Sequence, residues 1–239
     1  RPDTTTYTTA GGIHVTRQRQ AIDAHAAIAE LIDQLDTRRG VLLSSNYDYP
    51  GRYTRWDLGL KDPLLEITSR DRRMAVSALN ARGMILLAPI GEALGALDEV
   101  DDLRTGAHGL ELIIKKPERH FAEEERSRQP SVFSAIRALV TLFSSSHDDQ
   151  LGLYGAFGYD LTFQFEAIRL AHERPPTQRD MVLYLPDELV VVDRQKETAF
   201  RYRYDLRHGG QSTAAADPSP YPEPPAPEAS SGRDGSDHA

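Results

Sequence analysis

The stretch Leu42–Asp57 reads LLSSNYDYPGRYTRWD, and its interpretation decides how the rest of the chain is understood. A short apolar run that begins at Val41 ends in two serines and an asparagine, and Pro50-Gly51 then marks a turn. The aromatic and β-branched residues after the turn are typical of a second strand. The sequence therefore predicts a strand, a loop and a strand, with hydroxyl side chains at the end of a buried strand, where they can meet a ligand.

The composition is that of an ordinary folded protein. The chain has 239 residues, of which 39% are hydrophobic and 27% are charged. A net charge of −8 argues against a nucleic-acid-binding surface, and no apolar run approaches the ~20 residues of a membrane span. The absence of cysteine excludes disulfides, thiolate zinc sites and a cysteine nucleophile. Because the sequence starts without a signal-peptide pattern, we expect a cytoplasmic protein.

The first part of the chain predicts a flexible lead, a short strand and a helix. Residues 1–12 are polar, and residues 13–16 alternate in the manner of an edge strand. The helix is predicted over Arg17–Arg39 with Gly40 as its stop. Its apolar stripe consists of Ile22, Ile28, Leu31, Ile32 and Leu35.

Short apolar runs separated by turn residues follow, and they predict an antiparallel meander rather than βαβ units. The predicted strands are 64–69, 74–79, 84–88 and 110–115, with a short helix at 90–97 and an acidic loop at 98–102. An amphipathic helix is predicted to open at Pro130-Ser131. The fold class is therefore α+β, with largely antiparallel, sandwich-like sheets flanked by helices.

Residues 151–166 read LGLYGAFGYDLTFQFE, in which glycines alternate with aromatic and aliphatic residues. Glycine inside a strand marks a bulge or a close approach by another backbone or a ligand. A final hairpin is predicted from strands at 181–185 and 189–192, followed by a strand at 198–204. From His208 onward the sequence is rich in proline, glycine and serine, which predicts a disordered interdomain linker over 207–239.

Three of these motifs resemble the anthranilate synthase component I family, in particular the branch fused to a glutamine amidotransferase. They are the Leu42–Asp57 stretch, the Gly158-Tyr159-Asp160-Leu161 ending and the run from 181 to Asp193. The resemblance implies that residues 13–206 are the amino-terminal domain of such an enzyme, with the catalytic chorismate-binding domain beyond residue 239. This segment alone is then inactive, and the resemblance carries no catalytic residue onto it.

The resemblance also implies an effector site for L-tryptophan, the end product of the pathway. Its expected contacts are Leu43, Ser44, Ser45, Asn46, Arg52 and Tyr53. Backbone and hydroxyl groups accept from the ammonium, Arg52 donates to the carboxylate, and nearby aromatic rings hold the indole. The chain departs from the family at Ser44, where the family has an acid. A carboxylate that could bind the ammonium group is therefore missing.

The whole enzyme implied by the resemblance makes anthranilate and pyruvate from chorismate and glutamine-derived ammonia, with Mg²⁺ held by the catalytic domain. Its partners are the catalytic and glutamine amidotransferase domains, and a homodimer is compatible with the resemblance. Two alternatives stay open: a 2-amino-2-deoxyisochorismate synthase of phenazine-type secondary metabolism, and a non-catalytic amino-acid-binding module.

Two side-chain groups have a plain structural interpretation. Trp56 is expected in the core, although stacking with Arg55 is the alternative. His147-Asp148-Asp149 contains residue types that bind metals, but it lacks a spaced partner, and a surface turn is expected.

Overall fold

The computed structural model describes residues 2–44, 55–117, 129–165, 173–175 and 177–222. Its helices are α1 (Ala24–Leu35), α2 (Ala81–Gly95) and α3 (Val132–Phe143). Its strands are β1 (Asp3–Thr8), β2 (His14–Ala21), β3 (Gly40–Leu43), β4 (Trp56–Lys61), β5 (Leu65–Arg70), β6 (Arg73–Ala78), β7 (Val100–Thr105), β8 (Gly109–Ile114), β9 (Tyr154–Phe157), β10 (Met181–Leu185), β11 (Glu188–Asp193), β12 (Thr198–His208) and β13 (Gln211–Ser212).

The strands form two antiparallel sheets. The first has the order β1-β2-β12-β11-β4-β3, with β13 paired to β12, and the second has the order β7-β8-β6-β5-β10-β9. The predicted α+β class is confirmed. The predicted helix after Pro130-Ser131 is also confirmed, as α3, whereas 100–102 belong to β7 and not to an acidic loop.

Helix α2 connects the two sheets, because it contacts strands of both. Leu86, Ile90 and Leu94 are fully buried along it. At its start, Asn80 Oδ1 accepts from the N–H of Gly83 at 3.1 Å. The predicted strand at 84–88 is therefore wrong. An uninterrupted apolar run does not distinguish a strand from a buried helix. Here the Asn80 cap indicates the helix.

Helix α1 is shorter than predicted. Asp23 Oδ1 accepts from the N–H of Ala26 at 2.8 Å, so the helix begins at Ala24. Residues 17–21 instead continue β2, which pairs with β1 on one side and β12 on the other. The prediction of an edge strand at 13–16 is thus wrong, and so is the flexible lead, because Asp3–Thr8 form β1. Pairing with distant strands outweighed the local helical pattern.

Strand β11 is buried on both faces. Leu189 and Val191 point into the main core, whereas Val190 and Val192 join a smaller cluster with Ala27 of α1. This two-sided cover explains the unbroken apolar sequence of the strand. The opposite side of α1 faces solvent, and Ile32, predicted to lie on its apolar stripe, is 51% exposed.

The predicted hairpin of 181–185 and 189–192 is wrong, although both strands exist. β10 pairs with β5 and β9 in the second sheet, whereas β11 pairs with β12 and β4 in the first. Only Pro186 and Asp187 separate them, and Asp187 forms an ion pair with Arg82 of α2. The turn residues were recognised, but they carry the chain from one sheet to the other.

The predicted linker over 207–239 is wrong for its first part. Thr213 is fully buried, and its Oγ1 accepts from the N–H of Leu206 at 2.9 Å. The Tyr221 N–H donates to the carbonyl of Leu79 at 2.7 Å, and its ring stacks on His108 with centroids 4.3 Å apart. Residues 211–222 are therefore part of the folded body.

Candidate functional site

The strands β3 and β4 bring the ends of the Leu42–Asp57 stretch together at one side of the first sheet. Leu43 is the last residue of β3 and pairs with Leu58 of β4. Ser44 follows at once and is exposed. The other expected effector contacts, which are Ser45, Asn46, Arg52 and Tyr53, lie outside the described residues.

Ser44 belongs to a polar network on neighbouring strands. Its Oγ donates to Asp57 Oδ1 at 2.7 Å, and Arg194 Nε donates to Asp57 Oδ2 at 2.7 Å. Arg194 Nη2 also approaches Ser44 Oγ at 3.5 Å. Asp57 is 4% exposed, so this carboxylate is buried and neutralised by the arginine.

A second arginine–aspartate pair joins Arg55, the residue before β4, to Asp193, the last residue of β11. Arg55 donates to both oxygens of Asp193, with Nη2 2.8 Å from Oδ2. The hydrogen bonds from Arg55 hold the pKa of Asp193 below its usual range. Asp193 also accepts from the N–H groups of Gln195 and Lys196, which fixes the turn after β11.

Trp56 is not a core residue, in contrast to the expectation. Its ring is 46% exposed, and the guanidinium carbon of Arg55 lies 4.5 Å from the ring centroid. This distance matches a cation–π contact, which is the alternative raised for this pair. Arg55, held by Asp193, therefore covers part of the exposed Trp56 ring.

The chemistry of this network suits recognition rather than covalent catalysis. Because Ser44 donates its hydrogen to a carboxylate, its oxygen becomes a better acceptor for an outside donor such as an ammonium group. Both Asp57 oxygens are engaged within the protein, so this acid does not replace the missing family acid directly. Any effect of Asp57 on a ligand bound here would pass through Ser44.

Sequence reasoning assigned no role to Asp57, Asp193 or Arg194. Asp57 carries a signal in the sequence, since a charged residue inside the strand WDLGLK needs a partner once it is buried. That partner, Arg194, is 137 residues away, and only the pairing of β4 with β11 brings the two together. No spacing rule predicts such a contact.

Asp148 also departs from the expected surface turn. It is 8% exposed, accepts from the Tyr7 hydroxyl at 2.7 Å and lies 3.4 Å from Arg17. No group of three or more His, Asp or Glu side chains suited to a metal ion occurs among the described residues.

Two sizeable cavities lie on the outer face of the second sheet, away from Ser44. One of about 340 Å³ is bordered by Arg70, Arg73 and Glu111, and one of about 1020 Å³ by Arg38, His108 and Tyr221.

Within the described ranges, no helix is long and apolar enough to cross a membrane.

Comparison with known proteins gives relatives of one kind. An anthranilate synthase from Azospirillum brasilense is 49% identical over 187 residues, which cover 78% of this chain and 25% of that protein. An anthranilate synthase component 1 from Serratia marcescens is 32% identical over 169 residues, which cover 68% of this chain and 31% of that protein. A Pseudomonas aeruginosa protein described as anthranilate synthase component 1, pyocyanine specific, is 28% identical over 152 residues, which cover 64% of this chain and 28% of that protein.

The chain thus spans between about a quarter and a third of the length of these relatives. No protein-family model matches it.

Proposed function

The chain belongs to the anthranilate synthase component I family, and on this basis we propose that it forms the amino-terminal domain of an anthranilate synthase. The whole enzyme converts chorismate and glutamine to anthranilate, pyruvate and glutamate, the first step of tryptophan synthesis. The observation that carries the proposal is the 49% identity to the Azospirillum enzyme over most of this chain. The chemistry itself belongs to a catalytic domain beyond residue 239, which also holds Mg²⁺.

The role of this domain is to bind tryptophan as a feedback inhibitor. Leu43 and Ser44 supply the described side of the site, and Ser45, Asn46, Arg52 and Tyr53 complete it. The network of Ser44, Asp57 and Arg194 supports this role, because it fixes the strand end in place and strengthens Ser44 as an acceptor.

Control proceeds by a population shift. Tryptophan at the junction with the catalytic domain prefers a conformation that binds chorismate poorly. By reciprocity, chorismate then weakens the binding of tryptophan by the same factor.

The glutamine amidotransferase is part of the same polypeptide. The 187 matched residues make up 25% of the Azospirillum relative, whereas 169 make up 31% of the Serratia relative, so the former is the longer protein. The difference is on the order of one additional domain. The protein is cytoplasmic, and a homodimer is compatible with this arrangement.

The second candidate is a 2-amino-2-deoxyisochorismate synthase of secondary metabolism, which aminates chorismate without releasing pyruvate. The observation that favours it is the pyocyanine-specific relative, although its identity of 28% is well below 49%. Incubating the full-length gene product with chorismate and glutamine separates the two. Anthranilate with pyruvate supports the first function, and an aminated dihydro acid supports the second.

The effector site is tested by tryptophan inhibition of the full-length gene product. We expect Ser45→Phe and Arg52→Ala to raise the tryptophan concentration for half-inhibition by about tenfold or more, with chorismate kinetics unchanged. The control Ser219→Phe makes the same serine substitution at an exposed site in the described part of the tail. If both variants keep the parent's inhibition and chorismate kinetics, the assigned contacts are wrong.

A further inference from the structure

We propose that the smaller cavity on the outer face of the second sheet, of about 340 Å³, binds a small dianion. Its ligand is a compact metabolite that carries a phosphate group or two carboxylates. We call this site the arginine cavity. It lies on the second sheet, whereas Ser44 follows β3 of the first sheet, so binding there is separate from the proposed effector site.

Alternation along the strands places the cavity on the outer face. In β6, Met74 and Val76 are buried in the core, so Arg73 and Ala75 point outward. β8 alternates in the same way, and Glu111 points outward from the position paired with Ala75. Because the side chain of Ala75 is small, it leaves a hollow between the longer side chains around it.

Arginine is the predominant charged residue around this hollow. Among the described residues, four arginines and two acids border it, namely Arg70, Arg73, Arg104, Arg179, Asp102 and Glu111. The chain as a whole carries a net charge of −8, so the charge around the cavity is opposite in sign to that of the protein. A local positive potential of this kind attracts a negatively charged ligand.

Main-chain groups hold Arg70 in place at the edge of the cavity. Its guanidinium donates to the carbonyls of Arg174, Pro175 and Gln178. These carbonyls orient the side chain without neutralising it. Asp71 lies 3.8 Å from the Arg70 Nε but is mostly exposed to solvent, so it compensates the charge only weakly. Arg70 thus supplies a fixed positive charge.

Arg73 supplies the donors that a bound anion needs. Arg104 is already paired with Asp102, with Nε 2.7 Å from Oδ2, and Arg179 lies 3.8 Å from Glu66. Within the described ranges Arg73 has no such ion pair, and it is exposed on the outer face. The planar guanidinium of Arg73 can therefore donate two parallel hydrogen bonds to a phosphate or a carboxylate.

The size and lining of the cavity suit a metabolite rather than a bare ion. A volume of about 340 Å³ is at the lower end of the range for small-molecule sites. Thr68 and Thr177 add uncharged polar groups, and Ala75 and Ile113 add apolar surface for the body of the ligand.

Isothermal titration calorimetry of the 239-residue chain tests the site with sodium phosphate and, separately, with sodium succinate. Both titrations are made at a fixed ionic strength and at about pH 8, where phosphate is mainly the dianion. We expect at least one of the two to bind at a single site with a Kd of about 1 mM or tighter. Binding of phosphate alone identifies a phosphate-bearing ligand, binding of succinate alone identifies a dicarboxylate, and binding of both shows a site for either kind. Binding of neither would overturn the proposal.

A matched pair of arginine variants locates the bound dianion. Arg73→Gln removes the charge and the paired donors, and we expect it to weaken binding at least about tenfold. The control Arg203→Gln makes the same substitution at a half-exposed arginine of β12 in the first sheet and should keep the Kd of the parent. Equal weakening in the two variants would show a general attraction to the chain, and the site would be wrong.

Glu111→Gln changes the charge of the cavity in the opposite direction. We expect this variant to bind the dianion about two- to fivefold more tightly, because a like charge is removed from the site. Weaker binding in both Glu111→Gln and Arg73→Gln would mean that a disturbed sheet explains the result for Arg73, and the assignment would fall. Because these titrations contain neither chorismate nor tryptophan, a failure here leaves the proposed function untouched.

Discussion

Two buried carboxylates in the described part of this protein are held by specific partners from other parts of the chain. Asp57 has Ser44 and Arg194, and Asp148 has Tyr7 and Arg17. An isolated buried charge costs several kcal/mol, so these pairs are conditions for the fold rather than additions to it. Their effect on stability is therefore asymmetric, since removing one partner leaves the other charge buried.

A pH prediction follows for Tyr184, whose hydroxyl donates to Glu66 at 3.0 Å. Burial, reinforced by the Glu66 carboxylate, raises the pKa of Tyr184 to about 12. The folded state thus keeps this proton to a higher pH than the unfolded state does. The stabilisation is complete below about pH 10 and is lost as the pH rises towards about 12.

The measurement is urea unfolding of the parent and of Tyr184→Phe at about pH 8 and about pH 11.5. Between these pH values the variant should lose less unfolding free energy than the parent, by about 1–2 kcal/mol. Equal losses would show that this proton does not contribute to alkaline stability.

At the scale of elements, the sequence pattern located strands correctly where one face is buried. It failed where pairing with distant strands decides whether a segment is a strand. The alternation in β5 and β6 was sufficient to place both strands. The segment 17–21 was predicted as helix because Ile22 extends the apolar stripe of α1 backwards, but its pairing with β1 and β12 makes it a strand. The sequence showed that residues 84–88 are apolar but not whether they form a strand or a helix, since α2 is buried against both sheets.

The close approach of another backbone, predicted for the glycine-rich segment, is found at Gly155, and it permits a matched substitution. A Cβ atom on Gly155 would lie 2.0 Å from the carbonyl oxygen of Val182 in β10, whereas a Cβ atom on Gly152 would meet nothing within 4 Å. We expect Gly155→Ala to lower the free energy of unfolding by about 2–3 kcal/mol, because the backbone of β9 must move away from β10.

The control Gly152→Ala should change stability by less than about 0.5 kcal/mol in the same denaturant titration. A similar cost for both glycines would mean that β9 and β10 are not packed as closely as the structure places them.

At the scale of the whole molecule, the sequence predicted the class of the fold but not how its two sheets are joined. A turn of the type Pro-Asp between two strands indicates a change of direction, and the commonest outcome is a hairpin. Whether the second strand pairs with the first or joins another sheet depends on contacts with β4, β5 and β12, which no local pattern contains. The same limit applies to the candidate site. A sequence motif singled out Ser44, whereas no local pattern indicated Arg194.

The docked tail gives a prediction at this scale. Truncation after His208 removes Thr213 and Tyr221, and with them a buried hydrogen bond and the ring stacked on His108. We expect the thermal midpoint to fall by about 4–8 °C. Truncation after Pro222 keeps these contacts and serves as the control, with a midpoint close to that of the parent. If the shorter chain melts with the parent, residues 211–222 do not contribute to the fold.

The passage from β10 to β11 through Pro186 and Asp187 has a mechanical consequence. Consecutive Cα atoms are held 3.8 Å apart, so a link of this length has no slack to absorb sliding of one sheet past the other. Arg82 clamps Asp187 from α2, which itself contacts both sheets. We therefore expect a displacement applied at Ser44 on the first sheet to turn both layers together rather than to slide one past the other.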